Sequence, residues 1–404
     1  MNKLLAMILC ITLMLSLSGC VVSGDQSNTT GTESVPTSSI TESVPTGTTE
    51  GTTNIYEGPM QAISMPLVTQ EQFADGSDVV IYRNQFQNVS LLLEDEEPGQ
   101  AIMLDLLNRL DALSGSTIDV SAAAKNDYRG QQYWYPYFTS VTYEPTRIDS
   151  TILSFIGTEQ IFDGTPGSTT IHLSVNYDLS TGEEISLKTI LLEDYSADTL
   201  CEMIIEGLAS YDKDSFFSDY KLIIDDMFST NTPVDTWFFT DTGLTFFFNP
   251  YEIAPQSLGT VYSEIPYETL LGLVKEEYFP EEQLQYKGTI KAEVINLSSG
   301  NALDSFSRFA DVDMAETREQ ILLSVDGSVT NLRILVGSKN DDGTVFTKEC
   351  TVFSCAGMGP NDAVILHLDP ASAADQLALE YISDGQLVQM MLRLNSDGSL
   401  TLYQ

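Results

Sequence analysis

Histidine is almost missing from this sequence: His172 and His367 are the two among 404 residues. Neither lies in a His-x-x-x-His or His-Glu-x-x-His arrangement. The familiar zinc-hydrolase motifs are therefore excluded, because they need imidazoles spaced to meet at one metal. Both histidines read as ordinary strand residues. Basic residues are scarce as well, with 18 Lys and Arg against 58 Asp and Glu and a formal charge of −40. Such a surface repels phosphates, which excludes nucleic acid as a ligand and disfavours anionic lipid heads. It suits cations and basic proteins, and it also keeps a chain soluble. No Gly-x-Ser-x-Gly elbow and no Gly-Lys-Ser/Thr phosphate loop occurs. Carboxylates are so abundant that some pair always looks catalytic, so a glycosidase-like pair carries no specific signal. Asn340-Asp341-Asp342-Gly343 lacks the spaced ligands and terminal Glu of a calcium loop and reads as a hairpin turn. No metal and no cofactor is expected.

Long apolar runs are limited to one, Leu4 to Leu17, after the positive charge of Lys3. It is too short for an ordinary membrane span, which needs roughly 20 residues. Small residues follow it, in Leu17-Ser18-Gly19-Cys20. That order of charge, apolar core and small-residue cleavage site is an export signal. The Leu-Ser-Gly-Cys ending resembles a bacterial lipobox. The resemblance implies that residues 1–19 are removed, that the Cys20 thiol receives diacylglycerol, and that the chain sits on the extracytoplasmic face of the cell membrane. Paired acyl chains anchor stably where a single chain binds marginally.

Cysteine is also sparse, at five residues. Cys10 leaves with the signal and Cys20 carries the lipid. Cys201 falls in an apolar helical pattern and reads as a small buried hydrophobe. Cys350 and Cys355 flank Thr351-Val352-Phe353-Ser354 and are candidates for a disulfide in an exported protein.

After Cys20, residues 20–54 are rich in Ser, Thr, Gly and Pro. Thr32-Glu33-Ser34-Val35-Pro36-Thr37 recurs as Thr41-Glu42-Ser43-Val44-Pro45-Thr46. A segment of this kind cannot bury a core and reads as a disordered tether. About 34 flexible residues would hold the folded part roughly 30 to 35 Å from the lipid.

Folded sequence is expected from near Asp78, where Val79-Val80-Ile81-Tyr82 reads as a strand. An acidic turn at Glu94–Pro98 precedes a helix over Gln100–Leu113, with Ile102, Leu106, Leu110 and Leu113 on one face. Tyr133 to Tyr143 is strand-like and aromatic. Ile148–Ile161 and Thr169–Leu179 continue as strands around the turn Asp163-Gly164-Thr165-Pro166-Gly167. Ser196 reads as the N-cap of a helix carrying Leu200, Met203, Ile204 and Leu208. A second helix is expected at Asp214–Phe228. Thr236–Thr240 and Leu244–Phe248 read as a hairpin about Asp241-Thr242-Gly243, and Tyr267–Val274 as a short helix. From Gly288 onward, Asp326-Gly327, Asp342-Gly343, Asp384-Gly385 and Asp397-Gly398 punctuate apolar-alternating runs as hairpin turns. A helical stretch at Ala302–Ala310 interrupts them.

Two further segments carry a family resemblance. The first runs Phe238-Phe239-Thr240-Asp241-Thr242-Gly243-Leu244-Thr245-Phe246-Phe247-Phe248-Asn249-Pro250-Tyr251-Glu252-Ile253-Ala254-Pro255, with Gly259 and Ile265-Pro266-Tyr267 after it. The second is Asn176-Tyr177-Asp178-Leu179-Ser180-Thr181-Gly182-Glu183-Glu184-Ile185-Ser186-Leu187. Together they resemble the extracytoplasmic module of RsiV-type anti-sigma factors, which also occurs in Gram-positive lipoproteins and beside a peptidoglycan deacetylase. The resemblance covers roughly 78–280. It implies an α+β fold, antiparallel sheet with packed helices, working outside the cell, and in RsiV itself the module receives lysozyme, a basic protein. Two departures stand out. A Gly-Gly-Ala-His-like turn is replaced here by Gly164-Thr165-Pro166-Gly167. An anti-sigma factor also needs a cytoplasmic segment and a span, and this chain reads as having neither. Residues 288–404 are expected to form a separate, mainly β domain, a sandwich.

Candidate ligand-binding residues are Tyr133, Trp134, Tyr135 and Tyr137, with Tyr251 and Glu252. Alternation puts Tyr133, Tyr135 and Tyr137 on one face and Trp134 with Phe138 on the other. An exposed face would stack on glycans or a protein, whereas a doubly buried strand would do neither. Pro250 and Pro255 fix the backbone around Tyr251 and Glu252, which reads as loop architecture as readily as a site. The expectation is a non-enzymatic surface lipoprotein that binds an extracellular protein or peptidoglycan. The alternative is an envelope hydrolase working through paired carboxylates.

Overall fold

The structure, a computed structural model, describes residues 54–165, 167–229, 235–280, 284–297, 302–314, 319–339, 346–368, 376–395 and 399–403, with backbone alone for 110–118, 229 and 339. The expected signal, Cys20 and the expected tether up to residue 53 lie outside the described residues, as do Pro166, Asp342-Gly343 and Asp397-Gly398 and the side chains of Leu110 and Leu113.

Among the described residues, the strands form four sheets. The strands are β1 (Ala62–Ser64), β2 (Leu67–Phe73), β3 (Val80–Gln87), β4 (Ser90–Leu92), β5 (Tyr137–Ile148), β6 (Ile152–Phe162), β7 (Thr169–Asp178), β8 (Trp237–Phe239), β9 (Gly243–Phe248) and β10 (Val261–Pro266). In the C-terminal part they are β11 (Gly288–Ile295), β12 (Arg308–Asp313), β13 (Glu319–Gly327), β14 (Val329–Lys339), β15 (Phe346–Met358), β16 (Asp362–Leu368), β17 (Leu377–Ser383), β18 (Gln386–Leu394) and β19 (Leu400–Tyr403). The longer helices are α1 (Glu96–Asp127), α2 (Ala197–Gly207) and α3 (Tyr220–Ser229).

The first sheet runs β2-β3-β5-β6-β7. β3 and β5 are parallel, which requires a crossover, and α1 supplies it. This is why the helix runs well past Leu113. It also starts earlier than the sequence suggested: Glu96 and Glu97 lie in its first turn, where acidic side chains suit the helix dipole, and Pro98 is tolerated there. One face of the sheet, Tyr143, Phe155, Val175 and Tyr177, packs on Ile102 and Leu106 of α1.

The opposite face meets a three-stranded sheet, β10-β9-β8. The expected hairpin about Asp241–Gly243 is present. Thr240 Oγ1 accepts the Gly243 N–H at 3.0 Å and closes the turn. β9 is buried on both faces. Leu244, Phe246 and Phe248 join Leu200, Ile204, Ile224 and Phe228 of α2 and α3 in one core, while Phe247 turns towards His172 of β7. That double burial accounts for the unbroken Phe246-Phe247-Phe248 run. Ser196 caps α2 as expected, its hydroxyl accepting from the Thr199 N–H at 3.3 Å. The expected second helix is shorter than its periodicity, since Lys213–Ser215 form a separate 3-10 turn before α3. The helical pattern at 267–274 likewise shrinks to one turn, Tyr267–Leu270.

The C-terminal part is a sandwich of a seven-stranded sheet, β19-β18-β17-β14-β15-β1-β4, and a four-stranded sheet, β11-β13-β16-β12. Ile321, Leu323, Val364 and Leu366 of the smaller sheet share a core with Leu332, Ile334, Val352 and Leu379 of the larger. The architecture as a whole is α+β. Asp384-Gly385 makes the expected two-residue hairpin, with φ of 54° and 70°, the pattern of a type I′ turn. Asp326-Gly327 does not: β13 pairs with β11 and β16, whereas β14 pairs with β15 and β17. Gly327 instead turns a corner between the sheets at φ 94°. Ala302–Ala310 is a turn followed by the start of β12 rather than a helix.

Ordered strands begin before Asp78. β1 pairs with β15 and β4 and so belongs to the C-terminal sandwich, while β2 edges the first sheet. The segment Thr52–Gln404 is accordingly one compact unit. Its two parts are joined by side chains: Glu144 of β5 accepts from Lys348 Nζ (2.5 Å) and Thr351 Oγ1 (2.8 Å) of β15, and Asn331 Nδ2 donates to Asp241 Oδ2 at 3.1 Å. Arg147 is buried nearby, donating to Asp149 (2.6 Å), the Tyr267 hydroxyl (2.7 Å) and the Tyr278 carbonyl (2.7 Å).

The candidate disulfide is not formed. Cys350 and Cys355 are free, buried and on the same strand. Five strand residues span roughly 16 Å, far beyond the ~7 Å Cα limit of a bridge.

Candidate functional site

The aromatic segment enters β5 only at Tyr137. Before it, the chain leaves α1, turns at Gly130 (φ 77°) and runs irregularly through Pro136. Strand alternation therefore does not sort these rings. Tyr133 and Tyr135 are 86% and 69% exposed. Trp134 instead lies inward: its Nε1 donates to the Ile81 carbonyl at 3.2 Å and its ring stacks on Tyr137 at 5.0 Å. Tyr137 is buried and donates to Asp127 Oδ2 at 2.9 Å, tying β5 to the end of α1. Gly164, in the turn between β6 and β7, lies against the Tyr137 ring. A Cβ there would run into the Tyr137 hydroxyl, and φ is 89°, so glycine alone fits.

The Pro250–Pro255 element follows β9. Tyr251 takes φ 72° and is 65% exposed, with its hydroxyl 2.9 Å from Gln256 Oε1. Glu252 turns inward and accepts the Asn249 N–H at 2.7 Å. Burial raises its carboxyl above the usual range, against the lowering effect of that hydrogen bond. Glu252 thus closes the turn. Asn249 then docks the turn on β7. Its Oδ1 accepts the His172 N–H (2.7 Å) and its Nδ2 donates to the His172 carbonyl (3.0 Å).

The docked turn and β7 enclose an open groove of ≈ 450 Å³. Ser168, Thr170 and His172 form one wall, and Pro250 with the segment from Gln256 to Tyr262 forms the other. No lining side chain is acidic, and the only titratable ones are His172 and Tyr262. The His172 ring lies edge-on to Phe247 and Tyr262, with Nδ1 3.1 Å from Thr158 Oγ1. Burial lowers its pKa, so the ring is neutral at pH 7 and bonds as donor or acceptor rather than as a cation. The arrangement offers hydroxyls, an amide, an imidazole and the apolar surfaces of Pro250, Leu258 and Tyr262.

The expected residues are thus partly gathered. Both segments lie at the same end of the first sheet, where β5 starts, β6 ends and β7 starts. The turn at 163–168 stands between them, and none of Tyr133, Trp134, Tyr135 or Tyr137 lines the groove. Tyr251 and Glu252 shape the loop without lining it. Thr170, Gln256, Thr260 and Tyr262 were missed, and His172 read only as a strand residue. Their signal is weak, because the groove joins segments that are far apart in sequence. Among the described residues no group of three or more His, Cys, Asp or Glu could hold a metal ion, and no helix is long and apolar enough to cross a membrane.

Residues 188–268, which include the loop wall of the groove, match a family model described as a protein of unknown function, DUF3298. A search of curated proteins finds no match. Solved structures similar to this chain include the following two. One is a DUF3298 family member from Bacteroides fragilis NCTC 9343, 15% identical, covering 54% of this chain and 94% of its own, with a TM-score of 0.40. The other is a DUF3298 family protein from Pseudomonas aeruginosa PAO1, 16% identical, covering 55% and 97%, with a TM-score of 0.39.

Proposed function

We propose that this is a binding lipoprotein of the bacterial envelope, anchored through Cys20, whose RsiV-like module recognises an extracellular protein or a cell-wall ligand in the groove between β7 and the 250–262 loop. One observation carries the reading: the segment matching the family model forms a wall of an open groove, and that groove is lined by uncharged hydrogen-bonding groups beside apolar surfaces. Ligand sites have this make-up, mostly apolar with a few polar groups that fix orientation. No carboxylate lines the groove, and Glu252, two residues from Pro250, is engaged in its own turn, which favours binding over acid–base chemistry. The acidic balance of the chain adds long-range attraction for basic partners.

A binding survey tests this. The full chain in detergent is titrated with lysozyme and with soluble peptidoglycan fragments, beside a Thr260→Trp variant that fills the groove. Binding of either probe, weakened at least about tenfold by the substitution, agrees with the reading. Binding to neither, or binding indifferent to Thr260→Trp, contradicts it. Release of muropeptides would point to the hydrolase instead.

A further inference from the structure

The backbone of β7 narrows the class of ligand, on the premise that the groove is the binding site. β7 is the last strand of its sheet. His172 gives both main-chain groups to Asn249. Asn176 accepts from the Ile185 N–H at 2.7 Å, and the Asp178 N–H reaches the Glu183 carbonyl at 3.0 Å. In antiparallel pairing, residues turned towards the partner strand alternate with residues turned away. The even-numbered positions of β7 therefore face away from β6. At 176 and 178 this outer edge is covered by the chain that follows β7, at 174 it is buried, with the Ser174 hydroxyl donating to the Asp235 carbonyl at 2.6 Å, and at 172 it is covered by the Asn249 amide. The next such position is Thr170. No described residue pairs with its main-chain N–H or carbonyl, and Thr170 lines the groove.

We propose that the groove takes an extended peptide segment of a partner protein, added as a further strand to the open end of β7 at Thr170. An uncovered strand edge is a template for another chain. At the adjacent outward position the fold already meets this demand with a carboxamide, the side-chain equivalent of a peptide group. A glycan would use the hydroxyls and rings but leave the main-chain pair of Thr170 unanswered. Charge selects the peptide: the chain carries 58 acidic against 18 basic residues, and exposed Asp163 lies on the turn leading into Ser168. The paired stretch is therefore flanked by Lys or Arg. Pro250, Leu258 and Tyr262 receive those of its side chains that point into the groove.

The test uses a phage library of random octapeptides against the full chain in detergent, with two substitutions at one residue. Thr170→Pro removes the outward N–H and leaves the β6 ladder whole, because that N–H does not point to β6. Thr170→Val keeps the N–H and removes the hydroxyl. The expected peptides alternate β-branched and polar residues between basic ends. They bind the Val variant within about twofold of wild type and the Pro variant at least about tenfold more weakly. An N-methyl scan of the best peptide against unaltered protein does not depend on the Pro variant folding; loss of binding at every second residue is expected. Equal loss with Val and Pro, or an N-methyl scan without period two, overturns strand addition. If no peptide is enriched while soluble peptidoglycan fragments bind and Thr260→Trp abolishes that binding, the peptide proposal fails and the groove reading stands. If neither probe binds, both fail.

Discussion

The Asn249 side chain bonds the main chain of His172 at both its N–H and its carbonyl, at 2.7 and 3.0 Å. One amide thereby does for a strand edge what a neighbouring strand would do, and it fixes the loop that makes the groove. Replacing Asn249 with Ala leaves two half-buried polar groups without partners, a loss of about 1–3 kcal/mol. Denaturant unfolding should show that loss. Hydrogen exchange should quicken at His172 with little change in the distant C-terminal sandwich.

Glu252 gives a pH-dependent prediction. Its carboxyl pKa is raised in the folded state, mainly by burial. The fold therefore holds the proton more tightly than the unfolded chain, and ionisation weakens the fold as pH rises from the ordinary carboxylate value through the raised one. Glu252→Gln keeps an oxygen for the Asn249 N–H and removes the charge. The variant should melt higher than wild type at pH 7, and the difference should shrink to nothing below about pH 4. A constant difference across that range would show that the charge is not the cause.

His172 behaves in the opposite sense. Burial lowers its pKa, so the contribution of the neutral ring is full above the ordinary value and is lost as pH falls through the lowered one. Its NMR titration midpoint should lie below about 6.5, and ligand affinity should be flat between pH 7 and 8. A midpoint above that value would mean that a carboxylate, rather than burial, governs the ring.

Gly164→Ala places a methyl group against the Tyr137 hydroxyl at a φ of 89°. The expected cost is about 1–3 kcal/mol. Because Trp134 stacks on Tyr137, its fluorescence should shift before global unfolding.

Cys350 and Cys355 should alkylate fully once the chain is denatured without reductant. Protection of both until a reductant is added would mean that they are bridged.

What the sequence revealed follows from the range of each interaction. Ser196, the Asp241–Gly243 turn and Asp384-Gly385 act on residues next to them, so cap and turn chemistry located their elements. β6 and β7 were legible because the turn at 163–167 separates two alternating runs. β1 was not: three residues show no period, and the strand exists only because β15 and β4 are beside it. Asp326-Gly327 misled because a corner between two sheets needs the same backbone freedom as a hairpin. The Pro250–Pro255 element was found by its composition, but the groove was not, since its other wall, Ser168 to His172, reads as a plain strand until Asn249 is placed upon it.

Hydrogen–deuterium exchange of the full chain, with and without a saturating ligand from the binding survey, tests the central claim most directly. Protection should concentrate in 168–172 and 250–262, with the seven-stranded sheet unchanged. Protection confined to the C-terminal sandwich, or to the amides around the exposed Tyr133 and Tyr135, would contradict the assignment of the groove as the binding site.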